Sequence, residues 1–145
     1  MSQSRTDREG RSLWVPRGIV GFPGLTRFRL FTNGEENLFH LLQSEEKSHV
    51  RFSLIDPLIL RPDFRLSLTP DQLEELEVSV AGDLESYLIV TVPDDARRMT
   101  VNFRAPFLVS RTSMVGMQVL LDDPELPVRA PLAEEWAREN AEMAG

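Results

Sequence analysis

A chain of 145 residues with 41% hydrophobic side chains, eight Phe and two Trp carries enough apolar surface for one buried core, which excludes wholesale disorder and sets a single domain as the expectation. It has no cysteine, which excludes a disulfide framework, a thiolate metal site and a cysteine nucleophile. Its formal charge of −7 opposes direct binding of RNA or DNA, which needs a basic stripe to neutralise phosphates, and suits a basic protein partner instead.

Residues 1–11 are polar and read as a flexible N-terminal arm without the apolar stretch of a secretory signal. Leu13–Val20 reads as a first strand, placed at a sheet edge by Pro16. Gly21-Phe22-Pro23-Gly24 is a turn, and Arg27–Thr32 alternates, with Phe28 and Leu30 opposite Arg27 and Arg29. Asn33-Gly34 is the strongest short hairpin signal in the chain. Leu38–Gln43 and Val50–Ile55 read as strands, the second with Phe52 and Leu54 on one face and Arg51 and Ser53 on the other. Asp56-Pro57 ends it.

Thr69-Pro70-Asp71-Gln72 is a helix start, with Thr at the cap, Pro at the first position and Gln three residues after the cap, and the helix is expected to stop near Glu77. Tyr87–Val92 is apolar on both faces, as a central strand is. Met99–Ser110 reads as a long strand bent at Pro106, with Val101, Phe103 and Ala105 on the buried face and Asn102 and Arg104 on the other. Met117–Leu121 is the last strand. Pro131–Met143 is a helix with the apolar stripe Leu132, Ala133, Trp136 and Ala137, a wet face of Glu134, Glu135, Glu139 and Glu142, and a Glu134–Arg138 pair.

Seven or eight closely spaced strands with Gly/Pro turns predict a mainly β fold: a small antiparallel β-barrel over residues 12–130 with a short inserted helix, followed by an acidic C-terminal helix over 131–145. No apolar run approaches the roughly 20 residues that span a bilayer, so the chain is expected to be cytoplasmic and free of membrane.

Nothing in the spacing asks for catalysis. His40 sits among Leu38, Phe39, Leu41 and Leu42 in a strand, and His49 follows a charged loop; neither has metal-ligand spacing. Asp94-Asp95 and Asp122-Asp123 lack a calcium-loop pattern, and no glycine-rich phosphate loop or Gly-x-Ser-x-Gly elbow occurs. The expectation is a protein that is not an enzyme and takes no cofactor or metal.

Seven segments in register then resemble the flagellar assembly factor FliW family: Gly21-Phe22-Pro23-Gly24-Leu25, Leu42-Gln43-Ser44, Phe52 to Asp56-Pro57, Val90-Thr91-Val92-Pro93, Met99-Thr100-Val101-Asn102, Ala105-Pro106 and Gly116-Met117-Gln118-Val119. They run from about residue 15 to about residue 132. Two segments depart from the family pattern: Ser110–Val115, shorter and less basic than usual, and the neighbourhood of Leu126, where an aromatic is usual. The resemblance implies a compact β-barrel without enzymatic activity that binds the carbon storage regulator CsrA, a small RNA-binding repressor of flagellin translation, and also binds flagellin, which competes for it. A flagellin-specific export chaperone without regulator binding is the alternative, and a barrel holding a small ligand is a third class, disfavoured by bulky Phe and Leu positions.

Partner-binding candidates are Gln43, Ser44, Asp56 and Gln118 in the resembling segments, Asn102 and Arg104 on the polar face of their strand, and Glu134 and Glu135 on the helix. For Asn102 and Arg104 two roles stand open: partner contacts, or ties to a neighbouring loop. The helix carboxylates would repel RNA phosphates within about 8–10 Å, or Trp136 and Leu132 would simply dock the helix over a sheet edge.

Overall fold

The computed structural model describes residues 10–32, 38–78 and 81–144. Period-2 alternation builds its strands as the sequence predicts. In β2 (Arg27–Phe31) Phe28 and Leu30 are fully buried, and in β4 (Arg51–Ile55) Leu54 is. Among the described residues nine strands, all paired antiparallel, form one sheet: β1 (Arg11–Trp14), β2, β3 (Phe39–Ser44), β4 and β5 (Leu84–Thr91) lie in chain order. β1 starts inside the stretch read as an arm. It stops at Trp14, ahead of Pro16, so the expected Leu13–Val20 strand is shorter and displaced. Asn33-Gly34 lies outside the described residues.

β5 is the central strand. One edge carries β4. The other carries two partners in succession, β6 (Thr100–Val101) and β7 (Phe107–Ser110), with β9 (Ala130–Pro131) beyond β6 and β8 (Gly116–Gln118) beyond β7. The long strand expected over Met99–Ser110 is therefore broken. Val90 faces Val101 but Tyr87 faces Phe107, so three residues along β5 correspond to six along its partner. The surplus is looped out at Asn102–Pro106. Asn102 Oδ1 accepts from the backbone N–H of Arg104 (2.9 Å) and Ala105 (3.1 Å), satisfying donors that the ladder has dropped. The inward face survives the break: Val101 and Phe103 are fully buried and Ala105 is buried too.

The mainly β class stands, but the sheet does not close into the expected barrel. Among the described residues β1 reaches the far end through a single parallel bridge, Trp14 to Val115, with Trp14 N–H donating to Met114 O at 3.0 Å. Closure needs a ladder. Here β1 is four residues long, and the chain opposite it is a turn with Met114 at φ 60°.

Strands at the centre bury both faces. Leu54 and Tyr87 join Phe28, Leu30 and Phe107 in one core; Ile55 and Leu88 join Val101 and Phe103 in a second; Leu108 joins Leu76, Met117 and Val119 in a third. This explains why every residue of β7 is buried.

Three α-helices lie among the described residues. α1 (Pro57–Leu60) is one turn capped by Asp56, whose Oδ1 accepts from Leu58 N–H at 2.9 Å. α2 (Pro70–Glu75) has the predicted reciprocal cap: Gln72 N–H donates to Thr69 Oγ1 (3.2 Å) and Thr69 N–H to Gln72 Oε1 (2.9 Å). It ends where Glu77 turns to φ 56°. α3 (Leu132–Ala144) corrects the sequence reading of its faces. Leu132 and Glu135 are buried, while Ala133, Glu134 and Ala137 are exposed. The reason is Arg61, just past α1: its guanidinium lies under the helix and draws Glu135 inward, with Nε to Oε1 at 2.9 Å and Nη2 to Oε2 at 3.0 Å. Arg138 accordingly approaches Glu135 (3.7 Å), not Glu134.

Candidate protein-binding surface

The β4–β5 ladder stops at Ser53 opposite Val90. Beyond that pair β4 stays with β3, through Gln43 opposite Arg51, while β5 follows β6, through Thr91 opposite Thr100. The two strands diverge and leave a cleft of about 690 Å³ lined by Leu41, Arg51, Phe52, Ser53 and the stretch Ile89–Val92. Arg51 is the one charged side chain among these lining residues.

Several apolar side chains of the protein are exposed, two of them at the cleft: Val92 in its lining and Phe22 against Phe52. Phe22 sets its edge against the Phe52 ring, with centroids 5.9 Å apart and planes at 73°. Val20, two residues earlier, is 80% exposed and donates its backbone N–H to Gln118 Oε1 at 2.9 Å. Leu120 and Val92 are 72% and 55% exposed. Exposed apolar side chains beside a cleft on a sheet are what protein–protein contacts use.

The sequence candidates do not gather into one site. Gln43 Nε2 donates to Ser48 O (2.6 Å), and Ser44 Oγ accepts from the backbone N–H of Glu46 (3.1 Å) and Lys47 (2.9 Å), so both shape the β3–β4 turn. Asp56 caps α1. Asn102, Arg104 and Gln118 do come together, around the looped-out segment: Gln118 Nε2 donates to Ala105 O (3.3 Å), and Arg104 donates from Nε to Leu126 O (3.0 Å) and from Nη2 to Pro124 O. Arg104 therefore ties down the 122–128 loop through carbonyls, not through an acidic side chain. Glu135 is spent on Arg61, and Glu134 alone of the helix pair is exposed. Replacing Asn102 and Arg104 with Ala together is expected to lower stability by about 2–3 kcal/mol, since two loop-anchoring hydrogen-bond sets are lost at about 1–1.5 kcal/mol each. Urea denaturation checks this, and unchanged stability would return the two residues to the role of free contacts.

Sequence reasoning missed a polar cluster sealing one end of the first core. Glu85 on β5 accepts from Arg11 Nη2 (2.7 Å) and Nη1 (3.2 Å), from Tyr87 Oη (2.9 Å) and from Arg111 Nε (3.1 Å). Burial pushes the Glu85 carboxyl up, but the Arg11 hydrogen bond and charge, with Tyr87 and Arg111, outweigh it and hold the group below its ordinary value. Burial beside Glu85 pushes the Tyr87 hydroxyl far above its usual range. The His40 ring stands edge-on to Tyr87 at 5.4 Å, and burial holds it below the usual imidazole value. No local motif announces the cluster, because Arg11 and Glu85 are 74 residues apart.

A carboxylate depressed in the folded state contributes stability that is fully present above its unfolded value and is lost as pH falls through the folded one. Acid titration of the melting temperature should therefore show a loss beginning below pH 4.5, the unperturbed carboxyl value. Glu85→Gln should cost about 1.5–3 kcal/mol at neutral pH and flatten that limb; an unaltered acid limb would contradict the assignment.

Among the described residues, no group of three or more His, Asp or Glu side chains is placed to hold a metal ion, and no helix is long and apolar enough to cross a membrane.

Comparison with known proteins meets this architecture directly. A family model described as FliW protein matches residues 3–132. The chain is 29% identical over 124 residues to the flagellar assembly factor FliW of Thermoanaerobacter pseudethanolicus, covering 85% of this chain and 83% of that one. It is 36% identical over 120 residues to the flagellar assembly factor FliW of Desulfitobacterium hafniense, covering 83% and 79%. A crystal structure of the flagellar assembly factor FliW superposes with a TM-score of 0.76 at 29% identity, over 83% of this chain and 84% of that one. A family match over most of the chain, relatives above 30% identity and the shared fold agree: the chain belongs to the FliW family of flagellar assembly factors.

Proposed function

We propose that this protein acts in the cytoplasm as a regulatory binding protein, one that binds and antagonises the translational regulator CsrA and binds flagellin, so that flagellin synthesis follows flagellum assembly. In this cycle free flagellin occupies the factor and leaves the regulator able to block the flagellin message. Export of flagellin releases the factor, which then takes the regulator and lifts the block.

The observation that carries the reading is the β4–β5 cleft, with exposed Val92 in its lining and Phe22 packed on Phe52 beside it, in a member of a flagellar assembly family. Net charge supports it: −7 favours encounter with a basic RNA-binding protein and disfavours RNA itself. Of the residues named from sequence, Gln43 pairs with the cleft-lining Arg51, and Asn102 donates its N–H to the O of the cleft-lining Ile89.

The test is calorimetric titration of the full chain against CsrA and, separately, against flagellin of the same genome. Binding to both supports the reading. Binding to flagellin alone would leave the export-chaperone role, and binding to neither would remove both.

A further inference from the structure

Backbone direction sets what the β4–β5 cleft can hold. In an antiparallel ladder the N–H and C=O of one residue point to the same side, and the side alternates along the strand. Ser44 N–H donates to Val50 O at 2.9 Å, so Val50 and Phe52 turn their backbone to β3, while Arg51 and Ser53 turn theirs to β5. Asn102 N–H donates to Ile89 O at 3.1 Å, so Ile89 and Thr91 face β6, while Val90 and Val92 face β4. Ser53 with Val90 is the last pair that closes, and the next in register, Arg51 with Val92, stays open. Among the described residues neither has a backbone partner across the cleft. Pro93 biases Val92 to extended backbone, which keeps its groups aimed at the gap.

Side chains sort by the same alternation. Leu41, Arg51, Ser53 and Val92 lie on the outer face of the sheet, and Phe52 and Ile89 on the inner face, packed against the first core. Opposite Arg51, the Gln43 amide already donates to Ser48 O. Among the described residues the Arg51 guanidinium has no hydrogen bond or ion pair. The cleft thus has a cation on its outer side and an apolar floor.

We propose that the cleft takes one extended segment of a partner protein as an added strand, its residues alternately acidic and apolar. The segment's backbone completes the hydrogen bonds that Arg51 and Val92 leave open. Its carboxylates lie outward beside Arg51, and its apolar side chains turn inward onto Phe52 and Ile89. In strand addition of this kind main-chain bonds give affinity and alternate side chains give specificity. A basic segment brings like charge to Arg51 and is rejected. The net charge of −7 governs encounter at long range, whereas Arg51 acts at contact. The inference rests on the cleft being the partner surface, and adds the conformation and chemistry of what enters it.

The probe is a fluorescein-labelled octapeptide of alternating Glu and Leu, titrated into the full chain and read by anisotropy. It should bind at least about tenfold tighter than the matching Lys/Leu octapeptide. Arg51→Gln, at an exposed position, should weaken it by about tenfold. The Glu/Leu octapeptide with N-methylated amides keeps every side chain but cannot donate, and should not bind. Hydrogen exchange of the free protein should find the Arg51 and Val92 amides open and those of Phe52 and Thr91 protected; saturation with the octapeptide should slow the first two by about tenfold or more. No binding of the octapeptide, equal binding of the Lys/Leu or N-methylated form, affinity indifferent to Arg51→Gln, or slow exchange at Arg51 and Val92 before anything is added would each overturn the proposal. Protection of those two amides that rises with protein concentration alone would assign the cleft to a second copy and overturn the separate partner. The partner reading fails separately: flagellin and CsrA binding in full to an Arg51→Glu, Val92→Asp variant would remove it and leave strand addition standing. Loss of both partners in that variant, with an octapeptide that does not bind, would keep the cleft as partner surface and overturn strand addition alone.

Discussion

Phe103→Ala is expected to lower the unfolding free energy by about 3–5 kcal/mol, the range for truncating a fully buried phenylalanine. Phe103 is completely buried in the second core, its N–H donates to Pro127 O at 2.9 Å, and its ring supports both Phe64 (6.1 Å between centroids) and the Arg61 guanidinium. Removing the ring opens a void between β6 and α1 and takes away the floor under Arg61, which then holds Glu135 less well. Those two losses share a partner, so they do not simply add. Phe103→Leu keeps most of the volume and should recover all but about 1–1.5 kcal/mol. Equilibrium urea denaturation measures both, and a loss below about 1 kcal/mol for the alanine variant would mean that the second core collapses around the gap.

Placing carboxylates in the β4–β5 cleft should weaken partner binding by at least about 100-fold, or 2.8 kcal/mol, the size of a central contact. The variant is Arg51→Glu with Val92→Asp. Both side chains stand at the cleft mouth, Arg51 exposed and Val92 55% exposed, so neither change touches a core. Surface substitutions of this kind usually stay within about 0.5 kcal/mol of the parent stability. The expected pattern is a large loss of affinity by calorimetry at an unchanged melting temperature. Full affinity in the double variant would place the partner surface elsewhere.

Where local chemistry decides, the sequence is enough. The alternation of Phe28, Leu30 and Leu54 locates their strands, and Thr69, Pro70 and Gln72 locate the start of α2 to the residue. Both rest on interactions within a few positions. The broken Met99–Ser110 strand was hidden because its inward face keeps the same alternation across the loop; only the register on β5 reveals the surplus residues. The lack of barrel closure was hidden for a related reason. Strand count predicts closure, but β1 is cut to four residues and meets only a turn.

The candidate site was legible to a lesser degree. Gln43, Ser44, Asp56 and Asn102 are polar residues at strand ends, and such residues serve either partners or their own backbone. In each case the structure gives them nearby backbone groups. Glu135 shows the opposite failure. Helical periodicity put it on the wet face, but Arg61, 74 residues away, turned that face inward. Arg61 and Glu85, each satisfied by a residue 74 positions distant, leave no local signature at all.

The central claim, a partner switch on one protein surface, is tested most directly by competition. The full chain is saturated with monomeric flagellin and titrated with CsrA in a calorimeter. The account predicts that the regulator heat disappears while flagellin is in excess and returns when flagellin is withdrawn. Undiminished regulator binding to the flagellin-saturated protein would contradict it.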